Sequence, residues 1–454
     1  MKKIIILVSY LILSFALKAE NINKMQAEII AKNYFYSCIT KEKKISYEAV
    51  MPLLADVIQE NNQNYMYIFN FQNLNGFIII SATSNTQPVL ALSIEQSFDL
   101  KKIITPISDL IDLYKKQIEK AINENLICQN EKMQDWENYK NIYFEKAAND
   151  VSPLITVNWN QVKYYNEQCP VDASSTYDGH ALVGCGGVAF AQLLKYWNYP
   201  LHGVGTKNYN TTKYGDITVN FSQATYNWSN MPTQLSTYNA DVALLMYHAA
   251  AALNTSFGPQ NSMTMALNSK TALDYFNYKY TEYKSKSSYT DSEWDLKIQN
   301  DLQNNRPLYY MGYGHTFNID GVQNNNYYHI NWGWQGLYNG YFYLNDLTPG
   351  QYDFTSSQIS LFGVEPDITI NIEKNNADKR INVYPNPFID QIKIETELSK
   401  NSTNICLYNL SGELIISGQI TNNTFKIGEN IPKGTYLIKI FNEEIDYREL
   451  IVKE

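Results

Sequence analysis

Two short segments constrain this chain more than any other feature of its sequence. The first, GCGGVAFAQLLKYWNYP at 184–200, places Cys185 just before a run without Gly or Pro that has apolar residues at helical spacing. The second, YGHTFNIDG at 313–321, carries His315 within an alternating, strand-like stretch. A cysteine at a helix N-terminus and a histidine from a later strand are the groups that a thiol nucleophile and its base require. The pair predicts thiol chemistry, and the fold must bring the two segments together.

The predicted position of Cys185 favours its ionised form. Unpaired N–H groups in the first helical turn and the positive end of the helix dipole stabilise a thiolate there, more so beside an imidazolium. The alternative is a buried cysteine that behaves as a small apolar residue. His180 and His329 compete with His315 for the role of the base, and spacing alone does not choose among the three.

Length, charge and cysteine usage limit the classes of function. A chain of 454 residues is expected to form two or more domains. A net charge of −9 without a Lys/Arg block argues against nucleic acid as a partner. The cysteines are too few for a disulfide framework, although Cys169 and Cys185 could pair. No Cys-x-x-Cys or His-x-x-x-His spacing occurs, so we expect no metal. The five cysteines are Cys38, Cys128, Cys169, Cys185 and Cys406.

The N-terminus predicts a signal peptide at 1–19. Two lysines precede an apolar run over 4–17, and Ala19 offers a small residue for cleavage. The alternative is a membrane anchor, but the run is shorter than the roughly 20 apolar residues that a spanning helix needs. We therefore predict no stable membrane span.

Residues 20–148 are predicted to form a small α+β domain. Helical periodicity appears at 25–36 and 107–126, and 65–82 predicts two strands with a turn around 73–76. A polar connector at 145–153 leads to the longest domain, 149–366, which holds Cys185 and His315. The charged segment 367–380 is predicted to be a linker.

Residues 381–454 are predicted to form a small β-sandwich. Alternating segments at 391–395, 405–408 and 435–440 indicate short strands, and turn sequences at 411–412 and 432–434 separate them.

The central domain resembles the streptopain family of papain-like cysteine peptidases. The family's cysteine motif reads approximately GCVATAMAQIMKYWKYP, and its histidine motif reads GGHAFVIDG followed by YHVNWGWGG. These motifs match 184–200, 312–321 and 328–336 in the same order. The resemblance implies an α+β, papain-like fold and hydrolysis of protein or peptide substrates through a Cys185 thioester, with His315 as the base and no cofactor.

The resemblance also implies further catalytic residues. Gln161, in NQVKYYNEQCP, matches a glutamine whose side chain donates to the oxyanion. The NWGW loop orients the histidine in this family, either through the Asn331 amide or through a group of Trp332. His329 then matches a strand histidine that is not the base.

Three positions match substrate-contacting residues of the family. They are Ser262, Gly314 and Trp334, and the match at Ser262 needs a one-residue gap.

Both flanking domains resemble known types. Residues 65–97 resemble the inhibitory prodomain of the same family, which implies a zymogen inhibited by its own prodomain until the connector is cut. YPNPF at 384–388, LYNLSGE at 407–413 and IPKGTYLIKI at 431–440 resemble the sorting domain of the type IX secretion system. The alternative is a carbohydrate-binding or adhesive sandwich. With the signal peptide, the resemblance implies export through the periplasm to the medium or the cell surface.

The sequence thus predicts a secreted cysteine endopeptidase made as a zymogen. Two other classes remain open: a non-catalytic binding protein or adhesin on the same fold, and a thiol transamidase.

Overall fold

The computed structural model divides the chain into two compact units, Met1–Pro366 and Asp367–Glu454. The described residues are 20–126, 130–142, 150–345, 347, 357–367, 381–396, 403–409, 414–420, 423–428, 431–441 and 446–453. The predicted signal peptide, Cys128, most of the predicted connector and nearly all of the predicted linker lie outside these residues.

The first part of unit one combines helices with an antiparallel sheet. Its elements are α1 (Lys24–Ile39), β1 (Pro52–Glu60), β2 (Gln63–Phe71), β3 (Leu74–Ser81), β4 (Val89–Ser93), α2 (Thr105–Asn123) and α3 (Asn130–Asn138). α1 begins with a capping box in which the side chains of Asn23 and Gln26 each accept the other residue's backbone N–H. Both predicted helices and the predicted strand pair are confirmed, whereas β1 was not predicted.

The remainder of unit one carries Cys185 and His315. Its helices are α4 (Cys185–Trp197), α5 (Ala240–Ala252), α6 (Asn268–Ala272) and α7 (Asp291–Gln303). Its strands are β5 (Thr206–Thr211), β6 (Gly215–Asn220), β7 (Tyr278–Lys279), β8 (Glu282–Ser285), β9 (Leu308–Gly312), β10 (His315–Gln323), β11 (Tyr327–Asn331), β12 (Gly340–Tyr343), β13 (Ile359–Phe362) and β14 (Glu365–Pro366). Side chains of β9 alternate between two buried clusters: Tyr309 packs with α4 and α5, and Tyr310 packs on the opposite face.

One ten-stranded sheet runs through unit one, in the order β1-β2-β3-β4-β12-β11-β10-β9-β13-β8. The two parts of the unit join where Leu92 and Ala91 of β4 pair with Tyr341 and Phe342 of β12. The Tyr114 hydroxyl lies 2.7 Å from the carbonyl oxygen of Tyr343 at this joint. The predicted boundary between 148 and 149 falls inside this unit and stays a prediction.

Unit two contains two antiparallel sheets with a common core. Its strands are β15 (Ile381–Tyr384), β16 (Gln391–Thr396), β17 (Asn404–Asn409), β18 (Leu414–Gln419), β19 (Thr424–Lys426), β20 (Gly434–Phe441) and β21 (Asp446–Lys453). The sheet orders are β15-β16-β19 and β18-β17-β20-β21. Ile392, Ile394, Leu407 and Ile438 belong to one buried cluster that both sheets cover, as a β-sandwich requires. The three predicted strands are confirmed, and the predicted turn at 411–412 lies outside the described residues.

Across the described ranges of both units, the helices are all too short or too polar to cross a membrane.

Candidate active site

Cys185 is the first residue of helix α4, as the sequence predicts. Gly184 precedes it with φ 85°, a left-handed conformation that glycine adopts without strain. A side chain at position 184 would also meet the Ser262 carbonyl oxygen at 3.0 Å. Among the described residues, no side chain caps this end of α4, so the N–H groups of its first turn remain available near the sulfur.

His315 is the first residue of β10 and follows a two-residue turn. It pairs with Gly312 of β9, and the intervening Tyr313 and Gly314 have φ of 55° and 68°. Positive φ at both positions matches the twist of a β-hairpin. The Tyr313 hydroxyl donates to the Leu344 carbonyl at 2.9 Å and anchors the turn. Gly314 is exposed, with open space where a side chain would stand.

Cys185 and His315 interact, and each shifts the pKa of the other. Burial alone would raise the pKa of the Cys185 thiol, but a hydrogen bond with His315 and the charge of its ring outweigh burial and lower this pKa to about 7. Burial would lower the pKa of His315, whereas the Cys185 sulfur and the Trp332 carbonyl raise it, and the net shift is upward. The arrangement favours a thiolate beside an imidazolium near neutral pH.

Thr316 also acts on the sulfur, and the sequence analysis did not identify it. Its backbone N–H and its hydroxyl favour the thiolate and lower the pKa of Cys185. Thr316 is buried, and its hydroxyl also interacts with the Tyr309 hydroxyl. The available signal was a hydroxyl residue directly after His315, where the quoted family motif has alanine.

The far side of the His315 ring faces the NWGW loop. Nε2 lies 2.9 Å from the Trp332 carbonyl oxygen and 3.3 Å from Nε1 of Trp334. A protonated Nε2 donates to the carbonyl, and in that state the indole N–H cannot donate to the same nitrogen. Of the two groups predicted to orient the ring, the backbone of Trp332 therefore makes the contact.

Asn331, the other predicted orienting residue, points away from His315. It is buried, and its Nδ2 donates to the Val157 carbonyl at 2.9 Å. Its Oδ1 accepts from Gln192 Nε2 at 3.0 Å and from the Gly333 N–H at 3.1 Å. These bonds tie the Asn331 amide to other segments of the domain, and its part in orienting the imidazole stays a prediction.

The remaining predicted site residues lie on loops around Cys185. Gln161 is partly buried, and its carbonyl accepts the Val183 N–H at 3.1 Å, two positions before Cys185. The Ser262 hydroxyl is buried and donates to the Leu182 carbonyl at 2.7 Å. The Ser262 hydroxyl is thus bonded within the protein, and the carbonyl group and Cβ of Ser262 lie against Gly184.

The competing histidines have other partners. His329 is buried between Asp320, 2.6 Å from Nδ1, and Glu95, 2.7 Å from Nε2. Burial would lower the pKa of His329, but the two carboxylates raise it to about 10. The His180 ring contacts the Cys169 carbonyl through Nδ1 at 2.9 Å. A histidine that stays charged to such high pH is a poor proton acceptor at neutral pH.

The alternative pairing of Cys169 with Cys185 is not formed, because both are free thiols. Burial raises the pKa of the Cys169 thiol, which makes it unreactive. Within the ranges that the structure describes, no group of three or more His, Cys, Asp or Glu side chains is arranged to hold a metal ion.

Three stretches of the chain match known protein families. Residues 19–118 match the Spi protease inhibitor family, and residues 159–342 match the Peptidase C10 family. Residues 382–454 match the secretion system C-terminal sorting domain. The C10 match spans both Cys185 and His315, and the sorting match lies in the second unit.

Individual relatives agree with these matches. Streptopain from Streptococcus pyogenes is 26% identical over 339 residues, which cover 66% of this chain and 81% of streptopain. The thiol protease/hemagglutinin PrtT from Porphyromonas gingivalis is 25% identical over 431 residues, which cover 89% of this chain and 48% of PrtT. A solved fragment of Prevotella intermedia prointerpain A aligns with a TM-score of 0.56 at 26% identity, covering 68% of this chain and 98% of the fragment.

These matches agree with the geometry around Cys185 and with the order of the domains. The α+β architecture of the first unit is similar to that of prointerpain A, and a secretion sorting domain indicates export to the medium or the cell surface. Residues 159–342 thus form a peptidase C10 domain, and the chain is a cysteine peptidase precursor, with an inhibitor-type prodomain before the enzyme and a sorting domain after it.

Proposed function

We propose that Cys185 is the nucleophile of this peptidase and His315 its general base. The observation that carries the proposal is the interaction of thiol and imidazole at the start of α4, with a lowered Cys185 pKa and a raised His315 pKa. His315 takes the thiol proton, the sulfur attacks a peptide carbonyl, and the departing amine receives that proton. Water then hydrolyses the thioester with His315 again as base, which restores the thiol.

The oxyanion of each tetrahedral intermediate lies between the backbone N–H of Cys185 and the side chain of Gln161. The uncapped first turn of α4 supports this role, as does the bond that holds Gln161 beside Val183. A donor of this kind stabilises the transition state by about 3 kcal/mol. The Trp332 carbonyl keeps the imidazolium in place through Nε2.

Protein or peptide substrates contact Gly314, Trp334 and Ser262. The exposure of Gly314 leaves room for a substrate backbone, and Trp334 stands beside the imidazole. Ser262 contributes its backbone, because its hydroxyl is bonded to Leu182.

The prodomain, residues 20–148, inhibits the enzyme by covering a site that is already assembled. Cys185 and His315 interact while β4 is docked on β12, which argues against inhibition by displacement of the histidine. Gln96 of the prodomain packs against the NWGWQG loop, since a Cβ at Gly336 would lie 3.3 Å from its Nε2. Cleavage in the connector at 145–153 frees the peptidase domain, residues 149–366.

The ends of the chain direct its export. The signal peptide at 1–19 takes the precursor to the periplasm, and the β-sandwich at 381–454, joined by the linker at 367–380, engages the type IX secretion machinery. The family match at 382–454 and the separate core of the second unit support this assignment.

The first test measures cleavage of casein by purified full-length protein, with and without a thiol-alkylating inhibitor. We expect C185A to lose at least about a thousandfold in rate, because no other group supplies the nucleophile. C169A is the matched control, since it removes a free but buried thiol from the same domain, and it should retain activity.

Cleavage by C185A, or cleavage by the wild type that alkylation does not inhibit, contradicts the proposal. Transfer of the acyl group to an added amine in preference to water indicates a transamidase. A time course shows whether a fragment of about 130 residues leaves the N-terminal side, as release of the prodomain requires.

A further inference from the structure

Three buried amide side chains connect the elements that carry Cys185 and His315. Gln192 is about two helical turns after Cys185 on α4, and residues at this spacing share one face of a helix. Asn318 is on β10, and Asn331 is directly opposite it on β11. The three side chains are exposed by 1% or less.

Asn318 joins β10 to the cysteine helix. Its Nδ2 donates to the Ala189 carbonyl and to Gln192 Oε1, at 3.0 Å in both cases. Ala189 is about one turn after Cys185, so these bonds hold the strand against the start of α4. The strand that carries His315 is thereby fixed to the helix that carries the thiol.

Gln192 joins the same helix to the loop that contacts the imidazole. Its Nε2 donates to Asn331 Oδ1 at 3.0 Å, and this oxygen also accepts the Gly333 N–H at 3.1 Å. Trp332 lies between Asn331 and Gly333 in the chain, and its carbonyl oxygen faces His315 Nε2. The position of that carbonyl therefore depends on the Gln192 amide.

The network also reaches the segment before Gln161. The Val157 carbonyl accepts from Asn331 Nδ2 at 2.9 Å and from Gln192 Nε2 at 3.4 Å. One set of amides thus connects the nucleophile helix, the histidine strand, the NWGW loop and the segment that leads to the proposed oxyanion donor.

Core packing alone does not account for these amides. Burying an amide costs free energy that its hydrogen bonds only offset, and apolar side chains of similar size would fill the same space. Asn318 Oδ1 is buried without a partner among the described residues, a cost that an apolar residue would avoid. Hydrogen bonds add what apolar contacts lack, since they fix distances and angles between the groups they join.

We infer that Gln192, Asn318 and Asn331 are positioning residues that fix Cys185 against His315 and hold the loop that orients the imidazole. The inference rests on the proposed roles of Cys185 and His315 and goes beyond them, because the three amides act through other groups. A misplacement of about 1 Å at such a pair costs roughly a hundredfold in rate.

The test is Gln192→Met in the full-length protein, because methionine has a similar length and no amide. Active enzyme is counted by thiol labelling, and kcat and KM are measured on a peptide substrate. We expect kcat to fall roughly 10- to 100-fold with KM changed less than about twofold. We also expect the pH midpoint of Cys185 alkylation to rise, because a looser contact with His315 stabilises the thiolate less.

Thr255→Val is the matched control. Thr255 is buried in the same unit, and its hydroxyl donates to the Ala250 carbonyl at 2.6 Å, so this variant also loses a buried hydrogen bond. A purely structural role would lower the Tm of Q192M and T255V and leave kcat and the alkylation midpoint unchanged in both. Asn318→Val keeps the bond between Gln192 and Asn331, and we expect its kcat to fall about two- to tenfold.

If Q192M has the same kcat and the same alkylation midpoint as the wild type, the inference is overturned. If Q192M does not fold, the same result in N318V overturns it. The double variant Q192M/N318V removes both amides that face each other. If its kcat and Tm are both higher than those of the single variants, the loss of kcat in the single variants comes from an unpaired buried amide, and the positioning role is overturned. A wild-type protein without thiol-dependent cleavage overturns the proposed function, so the two failures are distinguishable.

Discussion

Two opposing effects set the reactivity of the Cys185 thiol. Burial disfavours the thiolate, whereas His315 and Thr316 favour it, and the second effect prevails. The pKa of His315 rises because the ring gains a partner that is negative when the ring is positive. The two groups therefore titrate as a coupled pair, and the acid side of the activity profile reports the loss of the Cys185 proton.

Removing the charge of His315 should move this titration. In H315Q we expect the alkylation midpoint of Cys185 to rise from about 7 to at least about 8.5, because burial then acts without the opposing imidazolium. Because the thiolate fraction grows with pH, the variant should react more slowly than the wild type at pH 6 to 7 and approach it above about pH 9. Mass spectrometry of the alkylated Cys185 peptide across this pH range gives the measurement.

His180→Gln serves as the control, because His180 contacts a backbone carbonyl near the site and not the sulfur. An unchanged midpoint in H315Q, or an equal rise in H180Q, would show that another group lowers the pKa of Cys185.

The residue pattern alone could single out Cys185, because a thiol at a helix start is chemically distinctive, whereas the choice of His315 over His180 and His329 needed the match to the family motif. The contact with Trp332 could not be chosen from sequence, since a backbone carbonyl occurs in every residue. Gln192 gave no signal either: a glutamine within an apolar helix does not show which distant amides it meets.

At the scale of elements, the joint between β4 and β12 includes an ion pair between the segment that matches the inhibitor family and the segment that matches the peptidase family. Glu95 follows β4 and contacts His329 of β11, and Asp320 of β10 holds the other side of the ring. Since the pKa of His329 is raised to about 10, the ring is positively charged at neutral pH. The Ser93 hydroxyl donates to the Asn339 carbonyl at 2.6 Å beside this pair. We therefore expect the negative charge at position 95 to help hold the prodomain against β11.

Glu95→Gln should weaken the hold of the prodomain. Glutamine still accepts a hydrogen bond from His329 but lacks the negative charge. We expect this change to weaken the docking of the prodomain by about 1 kcal/mol, because the pair is partly exposed. We expect the unprocessed full-length variant to show roughly fivefold more activity on a small peptide substrate, and to process itself faster. Initial rates at pH 7, before any cleavage is visible on a gel, provide the measurement.

Glu124→Gln is the matched control, because Glu124 pairs with Lys120 inside the prodomain helix region and does not cross the joint. Equal latent activity in E95Q and the wild type would mean that the charge at 95 does not contribute to inhibition.

Local patterns predicted some elements and missed others for identifiable reasons. The periodic residues of α2, including Ile107, Leu110 and Tyr114, are buried as predicted, because one helix face packs on the sheet. β1 was missed because its residues are largely exposed and do not alternate. The pairing of β4 with β12 was also missed. It joins segments far apart in the chain, and an alternating pattern predicts a strand without identifying the strand that pairs with it.

At the scale of the whole molecule, two units with separate cores share one chain. The clusters around Phe317 and Leu193 lie in the first unit, and the cluster around Ile438 lies in the second. Stability and activity of the first unit should therefore be independent of the sorting domain.

Truncation after Asp367 tests this independence. We expect the truncated protein to keep the Tm of the first unit within about 2 °C and its peptidase activity within about twofold, because no core residue of that unit is removed. Calorimetry and casein cleavage measure the two quantities. Truncation after Leu347 is the contrast: it also removes β13, which pairs with β9 and β8, and should abolish folding. Equal damage from both truncations would contradict independent units.

The proposed release of the prodomain on activation would remove β1 to β4 and leave β12 as the outermost strand of the remaining sheet. The backbone groups that paired with β4 lose their partners, and Tyr341 and Phe342 come into contact with water. An exposed edge strand of this kind pairs readily with any extended chain, including the same edge strand of a second molecule of mature enzyme. A purified preparation of the mature enzyme should therefore aggregate on storage. Adding the cleaved prodomain back should slow this aggregation.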